Sequence, residues 1–131
     1  MSVLLFDFVN VLYNPIDKQL NREVVEYIKE LKERKIPLFL FTNVSSERLE
    51  IYDKRLDFLR YFKKVTCGDM YVKPDIRAYE SLKELTGCDF EEMILVDDSY
   101  ENIEVGRSLG IKGIQFVNIE DLRKELEKLI N

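Results

Sequence analysis

Apolar and polar positions along this chain follow two alternating periods. Residues 3–8 (VLLFDF) form an apolar run interrupted only by Asp7, which predicts a buried strand. Leu20, Val24, Ile28 and Leu31 then recur at helical spacing across residues 20–33, with Asn21 placed to cap the start and Pro37 beyond the end. Residues 37–42 (PLFLFT) predict a second buried strand. Ser45 or Ser46 then caps a charged helix running to about Tyr61. A short strand is expected at residues 64–67. Pro74 opens a further helix with Tyr79, Leu82 and Leu85 on one face and Gly87 as its stop. Residues 93–96 (MILV) predict a fourth strand ending at Asp97 and Asp98. A helix over residues 103–109 closes at Gly110. A fifth strand covers residues 113–117, and an amphipathic helix with Leu122, Leu126 and Leu129 covers residues 120–130.

Strands that read as continuous apolar runs are buried on both faces, and helical crossovers between them imply a parallel sheet. The predicted fold is therefore a three-layer α/β domain built on a parallel five-stranded sheet. The 131 residues fit one domain, residues 1–131. Ligands in such folds bind beyond the carboxyl ends of the strands. Asp7, Thr42, Asn43, Lys73, Asp97 and Asp98 all fall there, brought from distant parts of the chain to one edge.

Composition narrows the chemistry. With 46% hydrophobic and 34% charged residues the chain reads as globular. Its net charge of −5 argues against nucleic acid and anionic membrane as partners. There is no histidine, which removes triads and His-ligated metal sites. Two cysteines, Cys67 and Cys88, are too few and too far apart for a zinc cluster, and read as partly buried thiols in a reducing cytoplasm. The apolar start lacks a basic region and carries Asp7, so neither a signal peptide nor a membrane span is expected. Carboxylates, amines, hydroxyls and a hard cation remain.

A carboxylate inside an apolar strand is costly without compensation, so Asp7 reads as a nucleophile or metal ligand, with a loop cap as the ordinary alternative. Asp97 and Asp98, facing Asp7, would repel it unless a cation sits between them, and all-oxygen ligands select an ion such as Mg²⁺. Capping of the next helix by Asp98 or Ser99 is the alternative there. Lys73 at this edge can neutralise an anion. Thr42 and Asn43, followed by Val44 and Ser45, offer a hydroxyl and free backbone amides at a helix start, a seat for phosphate. Together these parts point to phosphoryl chemistry.

Four stretches, LLFDFVNVLYN, FTNVSS, GDMYVKPDIRAYESL and ILVDDSYENIEVGRSLGI, in this order across residues 3–117, resemble the motifs of the haloacid-dehalogenase-like hydrolase superfamily. The resemblance implies a Rossmann-like sheet of order 3-2-1-4-5 and Mg²⁺ as cofactor. It implies Asp7 as the nucleophile that forms an aspartyl-phosphate and also binds Mg²⁺. Thr42 and Asn43 would hold the phosphoryl group, and Lys73 would bind and stabilise its charge. Asp98 would ligate the metal directly, Asp97 through a water, and Val9 through its backbone carbonyl. Asn102 would support the acidic loop. The family's phosphatases usually read D-x-D-G in the first motif, whereas here Val9 and Asn10 follow Phe8; sugar-phosphate variants reading D-x-G-N-V fit Asn10-Val11 better. Val9 cannot protonate a leaving group. The expected activity is a slow phosphatase for activated phosphates, with a silent binding or regulatory domain and a dehalogenase-like hydrolase as the competing readings. Tyr13 and Asp17 are the nearby residues to examine for a replacement acid. The segments after the first and second motifs are too short for a cap domain. The open site that follows suits a macromolecular or bulky substrate, or closure by a partner subunit such as a second copy of the chain. It suits poorly the sequestration of a small substrate from water. The expected partner is a phosphorylated substrate, small molecule or macromolecule. Tyr52, Tyr61, Tyr71 and Tyr100 are candidates for that open edge, with packing as their ordinary role.

Overall fold

The computed structural model describes residues 2–130. Strand β1 (Val3–Phe6) lies at the centre of the main sheet. A small antiparallel hairpin follows, β2 (Tyr13–Asn14) and β3 (Gln19–Leu20). Helix α1 (Arg22–Glu33) then leads to β4 (Leu38–Phe41), α2 (Ser46–Leu56) and β5 (Lys64–Thr66). Two short helices, α3 (Ile76–Glu80) and α4 (Leu82–Thr86), precede β6 (Met93–Asp97). Helix α5 (Tyr100–Leu109), β7 (Lys112–Gln115) and α6 (Ile119–Ile130) complete the chain. The sheet runs β5-β4-β1-β6-β7, all parallel, which is the expected order 3-2-1-4-5 counted along its own five strands.

Period-two alternation divides the strand side chains between two cores. Leu4, Phe6, Leu38, Leu40, Ile94 and Val96 face α1 and α6, whose Val24, Ile28, Leu31, Leu122 and Leu126 cover them. Val3, Leu5, Phe39, Phe41, Met93 and Leu95 face the other layer, with Tyr79, Leu82 and Ile103. Full burial of each such side chain stabilises the fold by about 1.5–3 kcal/mol. Outside the core, α1 and α6 are tied by a polar network. Arg34 grips the Glu127 carboxylate with two nitrogens at 2.7 and 3.1 Å, and the Tyr27 hydroxyl donates to it at 2.5 Å. Arg123 pairs with Glu30 and lies 4.3 Å from the Tyr27 ring centroid.

Several boundaries differ from the sequence reading. The segment ahead of α1 holds the small hairpin instead of a plain loop, and α1 starts after its cap Asn21, which accepts from the Val24 amide at 3.2 Å. Helix α2 stops at Leu56, because the Asp53 carboxylate takes the amides of Phe58 and Leu59 and Asp57 turns left-handed (φ 53°). The single helix expected after Pro74 is two, broken at Ser81, with Asp75 as the cap. Ser99, not Asp98, caps α5, which begins at Tyr100. Between β1 and β4 the chain holds only the hairpin and α1, so no cap domain is inserted there. Among the described residues no helix is long and apolar enough to cross a membrane.

Candidate active site

The carboxyl ends of β1, β4 and β6, with the loop after β5, surround a cleft of about 580 Å³. Asp7 arrives here because the β1 ladder continues one step past the strand, its amide donating to Val96 O at 2.9 Å. The next residues turn back tightly: the amides of Leu12 and Tyr13 both donate to Phe8 O at 2.9 Å, and Asn10 adopts φ 66°. Asparagine tolerates that left-handed conformation better than a β-branched residue would. The turn sets Val9 and Asn10 in the cleft wall.

Asp7, Asp97 and Asp98 each bring one oxygen within 4.8 Å of the others. Lys73 enters beneath them. Its Nζ donates to Asp7 Oδ1 at 3.1 Å, Asp97 Oδ2 at 2.8 Å and Phe41 O at 2.7 Å, which uses all three ammonium protons. At 3% exposure it lies behind the carboxylates and does not line the cleft. The sequence reading placed Lys73 against substrate; here it is wholly engaged by the protein. Asp97 is 0% exposed and also accepts from Ser99 N at 2.9 Å and Asn102 Nδ2 at 3.2 Å, so Asn102 does reach the acidic loop. Asp98, half-buried, opens onto the cleft. One ammonium does not balance three carboxylates. Burial pushes the Asp7 carboxyl up to about 7, the charge of Asp97 adds to the rise, and Lys73 opposes it. Burial and Asp97 also raise Asp98. Clustered oxygen donors with residual negative charge fit a hard divalent cation.

Thr42, at the end of β4, is buried at the cleft wall, and its Oγ accepts from the Val44 amide at 3.1 Å. Asn43 spends its side chain on the backbone of Lys73: Nδ2 donates to Lys73 O at 3.0 Å, and Oδ1 accepts from Lys73 N at 2.8 Å. The expected row of free amides at the start of α2 is therefore partly filled. Val44 N goes to Thr42, Ser46 N to the Asp69 carboxylate at 3.0 Å, and Arg48 N to Ser45 Oγ at 3.3 Å. Gly68 permits this close approach, since a Cβ there would sit 2.1 Å from Asn43 O.

Neither proposed replacement for the missing acid reaches the cleft. Tyr13 is buried in a stack on Phe8 with centroids 5.1 Å apart. Asp17 is exposed in the hairpin, accepting from Gln19 N at 3.0 Å. Tyr52 does line the cleft, whereas Tyr71 lines a neighbouring cavity and Tyr100 is exposed. Arg48, which the sequence reading did not single out, lines the cleft beside Tyr52. Its position in the first turn of the helix after Thr42-Asn43 was a readable signal, because a cation there opposes the helix dipole.

A family model described as haloacid dehalogenase-like hydrolase matches residues 5–116. A phosphoglycolate phosphatase of Agrobacterium fabrum is 30% identical over 93 residues, covering 70% of this chain and 40% of that protein. Magnesium-dependent phosphatase 1 of Homo sapiens is 28% identical over 114 residues, covering 85% of this chain and 64% of that protein. The chain thus spans 40–64% of the length of these curated relatives. A Bacteroides thetaiotaomicron enzyme of the same family, solved in complex with magnesium and inorganic phosphate, superposes with a TM-score of 0.79 at 17% identity, covering 93% of this chain and 98% of that one. At that identity the likeness concerns the fold.

Proposed function

The chain belongs to the haloacid dehalogenase-like hydrolase family, and from that premise we propose that it is a slow Mg²⁺-dependent phosphatase acting through an aspartyl-phosphate on Asp7. The observation that carries this reading is the cluster of Asp7, Asp97 and Asp98 around the buried Lys73 at the floor of an open cleft. Its curated relatives include proteins named as phosphatases.

Asp7 and Asp98 would hold Mg²⁺, with the Val9 carbonyl as a further donor and Asp97 acting through a water. Bound there, the ion neutralises carboxylate charge and polarises the phosphoryl group. The remaining chemistry belongs to the chain. Lys73 keeps Asp7 oriented by engaging one of its oxygens. The Asp7 carboxylate attacks phosphorus, and the ester oxygen departs with the bonding electron pair. Thr42 donates its hydroxyl proton to a phosphoryl oxygen as that charge grows. Asn43 acts through Lys73, whose backbone it clamps, and Asn102 steadies Asp97. Water then attacks the phosphorus of the aspartyl-phosphate, which releases phosphate and restores Asp7. Asp7 and Asp98 are the carboxylates that line the cleft, both are assigned to the metal, and Val9 has no proton to give. The leaving oxygen must take its proton from water. That favours acyl, aryl and anomeric phosphates, and it slows hydrolysis of the phosphoenzyme.

Hydrolysis of p-nitrophenyl phosphate and acetyl phosphate, with and without Mg²⁺ and beside Asp7→Asn, tests the reading. Mg²⁺-dependent turnover lost in Asp7→Asn, with acid-stable labelled phosphate trapped on the wild-type chain by rapid quenching, is expected. The same Val9 favours a second reading, a phosphate-binding module without catalysis. Absence of turnover on both activated substrates would select it.

A further inference from the structure

We propose that Arg48 and Tyr52 form a second anion site in this cleft, so that the preferred substrates are phosphate monoesters carrying a further carboxylate or phosphate on the leaving group. The inference rests on the phosphatase reading of the same cleft and adds the class of substrate.

Four observations carry it. First, the cleft of about 580 Å³ is far larger than a phosphoryl group needs, and its lining continues from Asp7 and Asp98 past Thr42 and Ser45 to Arg48 and Tyr52. Second, Arg48 is the basic side chain of that lining, since Lys73 is buried behind the carboxylates. Third, Arg34, Arg60, Arg77, Arg107 and Arg123 each pair with a carboxylate, and of the arginines without one within ion-pair distance among the described residues (Arg22, Arg48 and Arg55) Arg48 is the one that lines the cleft. It also stands in the first turn of α2, where the helix dipole opposes a cation. An unpaired guanidinium set against a dipole and facing a cleft is poised for an anion from outside. Fourth, the pair is preorganised. The Tyr52 ring packs against Phe8 at 5.3 Å and Tyr13 at 4.9 Å between centroids, which fixes its hydroxyl. Arg48 Nη2 donates to that hydroxyl at 3.2 Å, leaving the phenol proton and the other guanidinium protons for a ligand. A fixed donor set loses little freedom on binding.

The test compares phenyl phosphate with its 3- and 4-carboxy derivatives and with 1,3- and 1,4-phenylene bisphosphate. These aryl leaving groups suit an enzyme without a general acid. The acidic esters are expected to have the higher kcat/KM. In Arg48→Gln, their advantage over phenyl phosphate should fall about 10-fold or more, mainly through KM; Tyr52→Phe should weaken it less, and Arg48→Lys should keep part of it. A fall of equal size for neutral and acidic esters, or no preference in the wild type, overturns the proposal. Preference for the carboxylates identifies one source of the anion, and preference for the bisphosphates the other. Thermal shift in Mg²⁺ reads the same series without turnover. If no ester is hydrolysed, the phosphatase reading fails by itself. Stabilisation of the wild type by the acidic esters and not by phenyl phosphate, lost in Arg48→Gln, then still upholds the anion site, and its absence removes it.

Discussion

On the proposed phosphatase reading, Val9 is the residue that limits how fast this site works. It lines the cleft two residues after Asp7, in a turn whose backbone is fixed by amides converging on Phe8 O. Replacing it with aspartate puts a proton donor at the leaving-group side without moving that backbone. Turnover of alkyl phosphates, which depend most on a general acid, is expected to rise about 10²–10⁴-fold in Val9→Asp, with the Mg²⁺ requirement unchanged. Steady-state rates on one alkyl and one aryl ester check this, and an unchanged alkyl rate would show that something other than the acid is missing. The site residues differ in how legible they were. Asp7, Thr42, Asp97 and Asp98 stand at the ends of apolar runs, where a polar residue is costly unless it has a task, and sequence alone brings them to one edge. The engagement of Lys73 by three acceptors, and of Asn43 by the Lys73 backbone, was hidden, because each partner lies 24–66 residues away along the chain. Arg48 looked like one charge among many until its place in the cleft lining, without a carboxylate partner, could be seen.

At the scale of elements, strands were legible because burial on both faces makes them apolar throughout, as in β1, β4 and β6. Helix starts were legible where a cap announces them, as Asn21 and Ser45 do. The β2–β3 hairpin was not, since two-residue strands carry no period and its turn is polar. The early end of α2 was hidden too, because Asp53 reaches forward to stop it through its side chain. The loop after β5 matters more than its irregular pattern implies: Gly68 lies against Asn43, and Asn43 holds Lys73. Gly68→Ala must push those backbones apart. Overpacking of this kind costs about 1–3 kcal/mol, and misplacing Lys73 by a fraction of an ångström to an ångström is expected to cost up to about 10²-fold in kcat. Thermal melting and kcat measured on the same preparation check it. A full kcat with a lowered Tm would show that Asn43 does not carry the position of Lys73.

For the whole molecule, the crowded carboxylates set how stability depends on pH and metal. In the metal-free protein the Asp7 carboxyl lies at about 7 against an ordinary 3.8, raised by burial and by Asp97. Between those values the folded chain holds a proton that the unfolded chain has lost. Unfolding then releases protons, so stability falls as pH rises from about 4 to about 7. Asp75 acts with the opposite sign in a lower window, because its pairing with Arg77 holds it at about 2, and it weakens the fold only below about pH 4. Between pH 5 and 8 the metal-free protein is therefore expected to lose stability through Asp7 as pH rises. On the proposed metal assignment, Mg²⁺ would compete with the bound proton and bind only the folded cluster, so its stabilising effect would grow across the same interval. Calorimetric Tm values at pH 5 and pH 8, in chelator and in saturating Mg²⁺, measure this. The Mg²⁺-induced rise is expected to be clearly larger at pH 8, and Asp7→Asn should raise the chelator Tm at pH 8 while flattening its fall between pH 5 and 8. An equal rise at both pH values would mean that the ion binds elsewhere than at Asp7, and the metal assignment would have to be abandoned.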